Sequence, residues 1–119
     1  MSENDTFERN AEDSDVKTSG AAKKYIAELV GTFILVLIGC GTAVFSGQYA
    51  GVVGISFAFG LPLLALVYAI GGISGCHVNP AVSLSMLASG KMKAKDAAFY
   101  IVAQCIGAIA AAATLYAIA

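Results

Sequence analysis

The sequence predicts an all-α membrane protein with three transmembrane helices and one shorter, re-entrant half-helix. Hydrophobic residues make up 58% of the 119 residues and charged residues only 13%, and the mean hydropathy is +0.78. That composition is too apolar for a soluble domain. Between Glu28 and Lys91 there is no Asp, Glu, Lys or Arg, and this stretch is long enough for two crossings of about 20 residues each.

The first 24 residues have a different character from the rest of the chain. They contain six of the eight acidic residues and few apolar side chains. A segment of this kind buries too little surface to fold by itself, so residues 1–24 are predicted to be a disordered acidic tail. The positive start and short apolar core of a secretory signal are missing.

Three apolar stretches follow the tail and form one domain, residues 25–119. The first span is predicted at about residues 25–45 and the second at about 52–70, with a glycine-containing break at 46–51. The third is predicted at about 96–119, after a lysine-rich connection at 89–95. Each is long enough to cross a bilayer.

The segment between the second and third spans, at about residues 71–88, is predicted to enter the membrane without crossing it. Asn79 is a strong N-cap, and Pro80 suits the first helical position because its missing N–H costs nothing there. The helix that they start has about nine residues and is about 13 Å long, which reaches only mid-bilayer. Non-helical backbone at that depth survives only where protein buries it or water lines it, so the segment indicates a water-filled path.

The lysines predict the orientation. Lys23 and Lys24 precede the first span, and Lys91, Lys93 and Lys95 precede the third, whereas the loop between the first two spans has no charge. The positive-inside rule then places the N-terminus in the cytoplasm and the C-terminus outside.

Polar residues inside the spans need a reason, because they are expensive in lipid. Glu28 either reaches water near the interface or accepts backbone N–H groups of the re-entrant loop and braces it. Gln104, in the third span, has the same two interpretations, and we favour the bracing role for both. Ala103, Gly107 and Ala111 lie four apart, a spacing typical of close helix packing in membranes.

Four runs of residues carry a family resemblance: Ala27-Glu28-Leu29-Val30-Gly31-Thr32, Ala58-Phe59-Gly60-Leu61, Ile73-Ser74-Gly75-Cys76-His77-Val78-Asn79-Pro80-Ala81-Val82, and Ala103-Gln104 with Gly107. On these motifs residues 27–119 resemble the first half of a member of the aquaporin, or major intrinsic protein, family, most closely bacterial aquaporins of the Z type. The resemblance implies the first repeat of the aquaporin fold.

The resemblance also implies roles for individual residues. The Asn79 amide would donate hydrogen bonds to water at the pore centre, and Pro80 and Ala81 would fix the start of the half-helix. Backbone carbonyls that accept hydrogen bonds from water would come from Gly75, Cys76 and His77. Phe59 matches the aromatic position of the narrow filter, which favours water over glycerol.

The predicted function is a passive channel for water, with small neutral solutes left open, in the cell membrane. A helix N-terminus carries roughly half a positive charge and disfavours cations and proton transfer along the water file. No enzyme activity, cofactor, metal site or nucleic-acid partner is expected, and the three cysteines show no metal spacing. His77 is interpreted as a hydrogen-bonded structural residue, with a pH-responsive role as the minority alternative. Family members are commonly homo-tetramers.

Family members contain two inverted repeats, whereas these residues match only one. The sequence therefore predicts a fragment of a longer channel, half of the pore-forming unit. Three alternatives remain at this stage: a non-conducting remnant or membrane scaffold, a glycerol-type facilitator, and a transporter that binds an anionic solute at the half-helix. The transporter would need polar coupling residues at mid-membrane, and the second and third spans offer almost none.

Overall fold

The secondary structure is helical throughout the described part of the chain. A computed structural model describes residues 2–119; Met1, the first residue of the predicted tail, and the side chains at positions 15, 16 and 18 lie outside the description. The helices are α1 (Glu3–Ser74), α2 (Pro80–Ala88) and α3 (Ala94–Ile118), and residues 2–119 contain no strand. Helices α1 and α3 are long and apolar enough to cross a membrane. The all-α prediction is confirmed.

Helix α1 consists of two arms that fold back on each other at Gly51. Its 72 residues would measure about 108 Å as one straight helix, but the longest dimension of the molecule is 69 Å. Gly51 has φ 66° and ψ −175°, a conformation open to glycine and not to other residues. Gly39, which precedes the break, lies against the ring of Phe59, which follows it. The first arm (3–50) and second arm (52–74) are therefore antiparallel neighbours.

The structure differs from the prediction for the tail, because α1 begins at Glu3 and runs without interruption into the first apolar stretch. The described side chains of residues 2–19 are exposed, so this part of the helix buries little apolar surface. The carboxylate of Asp5 accepts the backbone N–H of Ser2 at 3.4 Å and so helps to cap the helix start. A helix that extends an existing one avoids the cost of nucleation, which is why burial is not needed for it to form.

Helix α3 packs on both α1 and α2 through one continuous face. The predicted small-residue contact is confirmed: Ala103, Gly107 and Ala111 are all buried. A β-carbon at Gly107 would overlap the backbone carbonyl of Leu29, so the two helices approach to backbone distance there. Larger residues on the same face, Tyr100 and Gln104, donate hydrogen bonds to the carbonyl of Ser74 at the end of α1 and to the carboxylate of Glu28 on the first arm.

The loop between α1 and α2 is inserted against the two arms of α1. Its apolar side chains form the buried core with the second arm, and half-buried residues of both arms cover that core; the members are Leu66, Cys76 and Val78, covered by Ile34, Leu35 and Ile70. Most large apolar side chains elsewhere are exposed, including Val52, Tyr68 and Ile109. Lipid tails solvate such side chains as well as a protein core does.

Candidate functional site

The start of α2 is fixed by Asn79 and Pro80. Asn79 is extended (φ −158°, ψ 127°), and its Oδ1 accepts the backbone N–H of Ala81 at 2.9 Å. Pro80 occupies the first helical position, where no N–H is required. Because Oδ1 is used by the cap, the amide NH₂ group of Asn79 is left to donate elsewhere, and the residue is exposed.

The loop before α2 has a strained backbone. Gly75, Cys76 and Val78 have φ values of 85°, 50° and 43°. Glycine tolerates this left-handed region, but for other residues it costs about 1–2 kcal/mol each, and a β-branched residue such as Val78 is a genuine outlier there. Such a conformation persists only when its surroundings determine it.

Glu28 supplies that restraint. Its Oε1 accepts the backbone N–H of His77 at 3.0 Å, and its Oε2 accepts the backbone N–H of Val78 at 2.7 Å and the Nε2–H of Gln104 at 2.9 Å. Both Glu28 and Gln104 have no exposed surface. Three N–H donors converge on one carboxylate, as suits an ionised acceptor.

Peptide geometry directs two carbonyls of the loop to the side that faces away from Glu28. A trans peptide is planar, and its C=O points opposite to its N–H. The peptide N–H groups of His77 and Val78 point at Glu28, so the carbonyls of Cys76 and His77 point away from it. Within residues 2–119, no group donates to the carbonyls of Gly75, Cys76 or His77, which leaves three adjacent acceptors free for a ligand.

A second set of buried hydrogen bonds includes residues that the sequence interpretation did not single out. The Nε2 of Gln104 also donates to Oγ of Ser83 at 3.0 Å, and that Oγ lies 3.0 Å from Nδ1 of His77. Tyr100 donates its O–H to the carbonyl of Ser74 at 2.8 Å. Tyr100 lies four residues before Gln104 on α3 and so shares its face, a spacing that could have revealed it. For Ser83 the signal was weaker, because it is one of two serines in an otherwise apolar half-helix.

A cavity of about 400 Å³ opens beside the loop, on the side of the α2–α3 connection. Its walls include His77 and Tyr100 from the buried cluster and charged side chains from the surrounding segments, namely Lys24, Lys91, Lys93 and Asp96. Asp96 accepts a hydrogen bond from the O–H of Tyr25 at 3.0 Å. The strained loop therefore borders an open space with three basic residues at its rim.

The structure brings together most of the predicted site residues but places Phe59 apart from them. Phe59 packs against Gly39 on the first arm. Gly39 is 11 residues beyond Glu28, about 16 Å along the helix axis.

Two buried oxygens near the cluster have no hydrogen-bond partner within the described residues: Oγ1 of Thr32 and Oε1 of Gln104.

Comparison with known proteins identifies the family of this chain. Residues 15–119 match the family model for the major intrinsic protein. The chain belongs to the major intrinsic protein family. Members of this family are channels and not enzymes. The family and the long apolar helices identify the chain as a membrane protein.

The chain is similar to bacterial members of this family. It is 54% identical over 100 residues to Aquaporin Z of Rhodopseudomonas palustris, covering 81% of this chain and 42% of the relative. It is 50% identical to Aquaporin Z of Photorhabdus laumondii (82% and 44%) and 52% identical to Aquaporin Z of Brucella melitensis (81% and 44%). The chain thus spans less than half the length of the curated relatives that it matches.

Proposed function

We propose that this chain forms one wall of a passive pore for water across the cell membrane. One observation carries the proposal. Glu28 binds the peptide N–H groups of His77 and Val78, and this directs the carbonyls of Cys76 and His77 to the opposite side of the loop. Within residues 2–119, no group donates to these two carbonyls or to that of Gly75. A ladder of acceptors that ends at a helix N-terminus suits a file of water molecules.

Asn79 provides the complementary donor at the end of that ladder. Its carbonyl oxygen is occupied by the N–H of Ala81, so its amide hydrogens face outward as donors. Water that passes would donate to the loop carbonyls and accept from Asn79, with Pro80 and Ala81 holding the helix start behind it. Catalytic groups have no part in this exchange of hydrogen bonds.

Exclusion of ions and protons follows from the electrostatics of α2. The N-terminus of a helix carries roughly half a positive charge, and here it lies beside the loop carbonyls. This positive charge opposes the passage of a cation. A proton that hops along the file must reverse the hydrogen-bond direction where Asn79 fixes it.

The choice of solute rests on fewer residues. Phe59 is proposed as the aromatic member of the narrow filter, which favours water over glycerol. Small neutral solutes stay within the proposal, and a glycerol-type facilitator is the alternative. A second repeat that faces this one would complete the filter and the opposite pore wall.

The proposed topology is multi-pass with a cytoplasmic N-terminus. The two arms of α1 and helix α3 would supply three crossings, supported by the reversal at Gly51. The lysines before the first span and in the α2–α3 connection support the orientation. Lipid would cover the exposed apolar side chains, and the family suggests a homo-tetramer.

Water flux tests the proposal directly. Residues 20–119 are grafted in place of the matching region of the Rhodopseudomonas palustris relative, and shrinkage of proteoliposomes is followed by stopped-flow light scattering. The chimaera should conduct water above empty liposomes. Asn79→Asp should abolish most of this flux, because aspartate still caps the helix but has no amide donor.

The matched control is Gln48→Glu, the same change from amide to acid at an exposed position before the Gly51 break. It should leave the flux unchanged. A folded chimaera that is no more permeable than empty liposomes would overturn the proposal in favour of a scaffold. Equal flux for Asn79→Asp and the parent would remove Asn79 from the pathway. The unmodified chain, measured beside them, shows whether copies of it supply the facing wall.

A further inference from the structure

We infer that Ser83 is a positioning residue that holds His77, the single histidine of the chain, in its neutral Nε2–H tautomer, so that an N–H donor faces the cavity beside the loop. The hydrogen bonds that carry this inference lie within the protein and do not depend on conduction. Only the description of the cavity as part of a water path rests on the proposed function.

The first step is the orientation of the Gln104 amide, which follows from its hydrogen-bond partners. Nε2 lies 2.9 Å from Oε2 of Glu28 and 3.0 Å from Oγ of Ser83. Both hydrogens of the amide are therefore used, and Oε1 has no hydrogen-bond partner in the described part of the chain. The reverse orientation would need a protonated Glu28 and would leave two buried N–H groups unpaired instead of one oxygen. Leaving a buried polar group unpaired is unfavourable, so the orientation with fewer unpaired groups is favoured.

The second step is the direction of the next hydrogen bond. Since Oγ of Ser83 accepts from Gln104, its own hydrogen is available to donate. The neighbour at hydrogen-bond distance is Nδ1 of His77, at 3.0 Å. In a neutral imidazole one nitrogen is a donor and the other an acceptor. An accepting Nδ1 therefore places the proton on Nε2.

The third step is the position of Nε2. No residue within 2–119 forms a hydrogen bond with it, although His77 is a wall of the cavity. A β-carbon built at Gly75 would lie 3.3 Å from Nε2, so the absence of a side chain there keeps this edge of the ring open. The ring also contacts Tyr100, with centroids 5.1 Å apart. The charged groups on the other cavity walls are Lys24, Lys91, Lys93 and Asp96.

The result is one fixed donor beside a row of acceptors. Water in the cavity accepts from Nε2–H with its oxygen and donates to the loop carbonyls with its hydrogens. The opposite tautomer would put an acceptor at this point and move the ring donor to Nδ1, which faces Ser83. The buried bonds from Glu28 through Gln104 and Ser83 thus set the polarity of a group that water meets.

The single histidine makes the tautomer measurable without assignment. The full chain is labelled with ¹⁵N in the histidine ring and reconstituted in liposomes, and solid-state NMR is recorded at neutral pH. We expect an unprotonated Nδ1 and a protonated Nε2. Ser83→Ala should lose this single pattern and show the Nδ1–H form as well, and Ser83→Thr, which retains the hydroxyl, should restore it.

Ser85→Ala is the matched control on the same helix, because Ser85 is exposed and its hydroxyl donates to the carbonyl of Ala81 at 2.8 Å. Its spectrum should equal that of the parent. A parent chain with Nδ1–H or with a charged ring overturns the inference, and so does a helical Ser83→Ala variant with the parent spectrum. If Ser83→Ala does not fold, the parent and Ser83→Thr spectra decide. The stopped-flow measurement on the chimaera is a separate test. If the chimaera does not conduct water but the expected tautomer is observed, the proposed water pore is overturned and the role of Ser83 stands.

Discussion

The Oε2 atom of Glu28 lies 2.7 Å from the backbone nitrogen of Val78, 50 residues later in the chain. Val78 has a φ of 43°, which a β-branched residue rarely adopts. The carboxylate therefore stabilises a backbone conformation that the local sequence disfavours. The carboxylate thereby joins the first arm of α1 to the loop that precedes α2.

Glu28→Gln should destabilise the protein. A glutamine keeps the shape of the side chain but turns one acceptor into an NH₂ donor, so the N–H of His77 or of Val78 faces another donor. The expected cost is about 1–3 kcal/mol, the cost of a buried group without a partner. Thermal unfolding in detergent, followed by far-UV circular dichroism, measures it as a lower midpoint.

The control for this variant is Glu12→Gln, the same substitution at an exposed position of the N-terminal helix. Its unfolding midpoint should match that of the parent. If the two variants unfold at the same temperature, Glu28 does not hold the loop.

Gly107→Ala should disrupt the contact between α3 and the first arm. The added methyl group would overlap the carbonyl of Leu29 and lie 3.2 Å from the backbone nitrogen of Phe33. Neither is a flexible side chain that can move aside, so the helices must separate. Overpacking of this kind costs about 1–3 kcal/mol, and the same thermal unfolding experiment detects it.

Gly60→Ala is the matched comparison, because a methyl group at this helical position meets no atom within 4 Å. Alanine is favoured over glycine in a helix by about 0.5–1 kcal/mol, so this variant should be as stable as the parent or more stable. Equal stability of Gly107→Ala and Gly60→Ala would contradict the close approach.

A spin label at Ala81→Cys should report a position near the middle of the bilayer. The label is introduced into a chain whose three native cysteines have been replaced, and its depth is measured from collisions with oxygen and with a water-soluble nickel reagent. Because Asn79 caps a half-helix of only nine residues, we expect a mid-bilayer depth together with access to the nickel reagent. Tyr49→Cys, at an exposed position beside the Gly51 break, should report the membrane surface. Equal depths would contradict a re-entrant α2.

The sequence alone predicted the elements whose cause is local. A long uncharged, apolar stretch requires helices in lipid, because the backbone must satisfy its own hydrogen bonds there. Asn79 followed by Pro80 predicted where α2 begins, since capping depends on adjacent residues. The small residues at 103, 107 and 111 predicted the packing face of α3 from their spacing. The helix at residues 3–24 was not predicted, because it forms by extension of a neighbouring helix and not from burial of its own.

Only the tertiary structure decided which distant groups meet. Ser83 joins His77, in the loop before α2, to Gln104 on α3, and Tyr100 reaches the carbonyl of Ser74 from another helix. The positive φ values of Cys76 and Val78 likewise depend on a carboxylate from the first arm. Capping and hydropathy act over a few residues, and the sequence shows them directly. The direction of a buried hydrogen-bond chain depends on distances between helices, and these are set only when the helices pack.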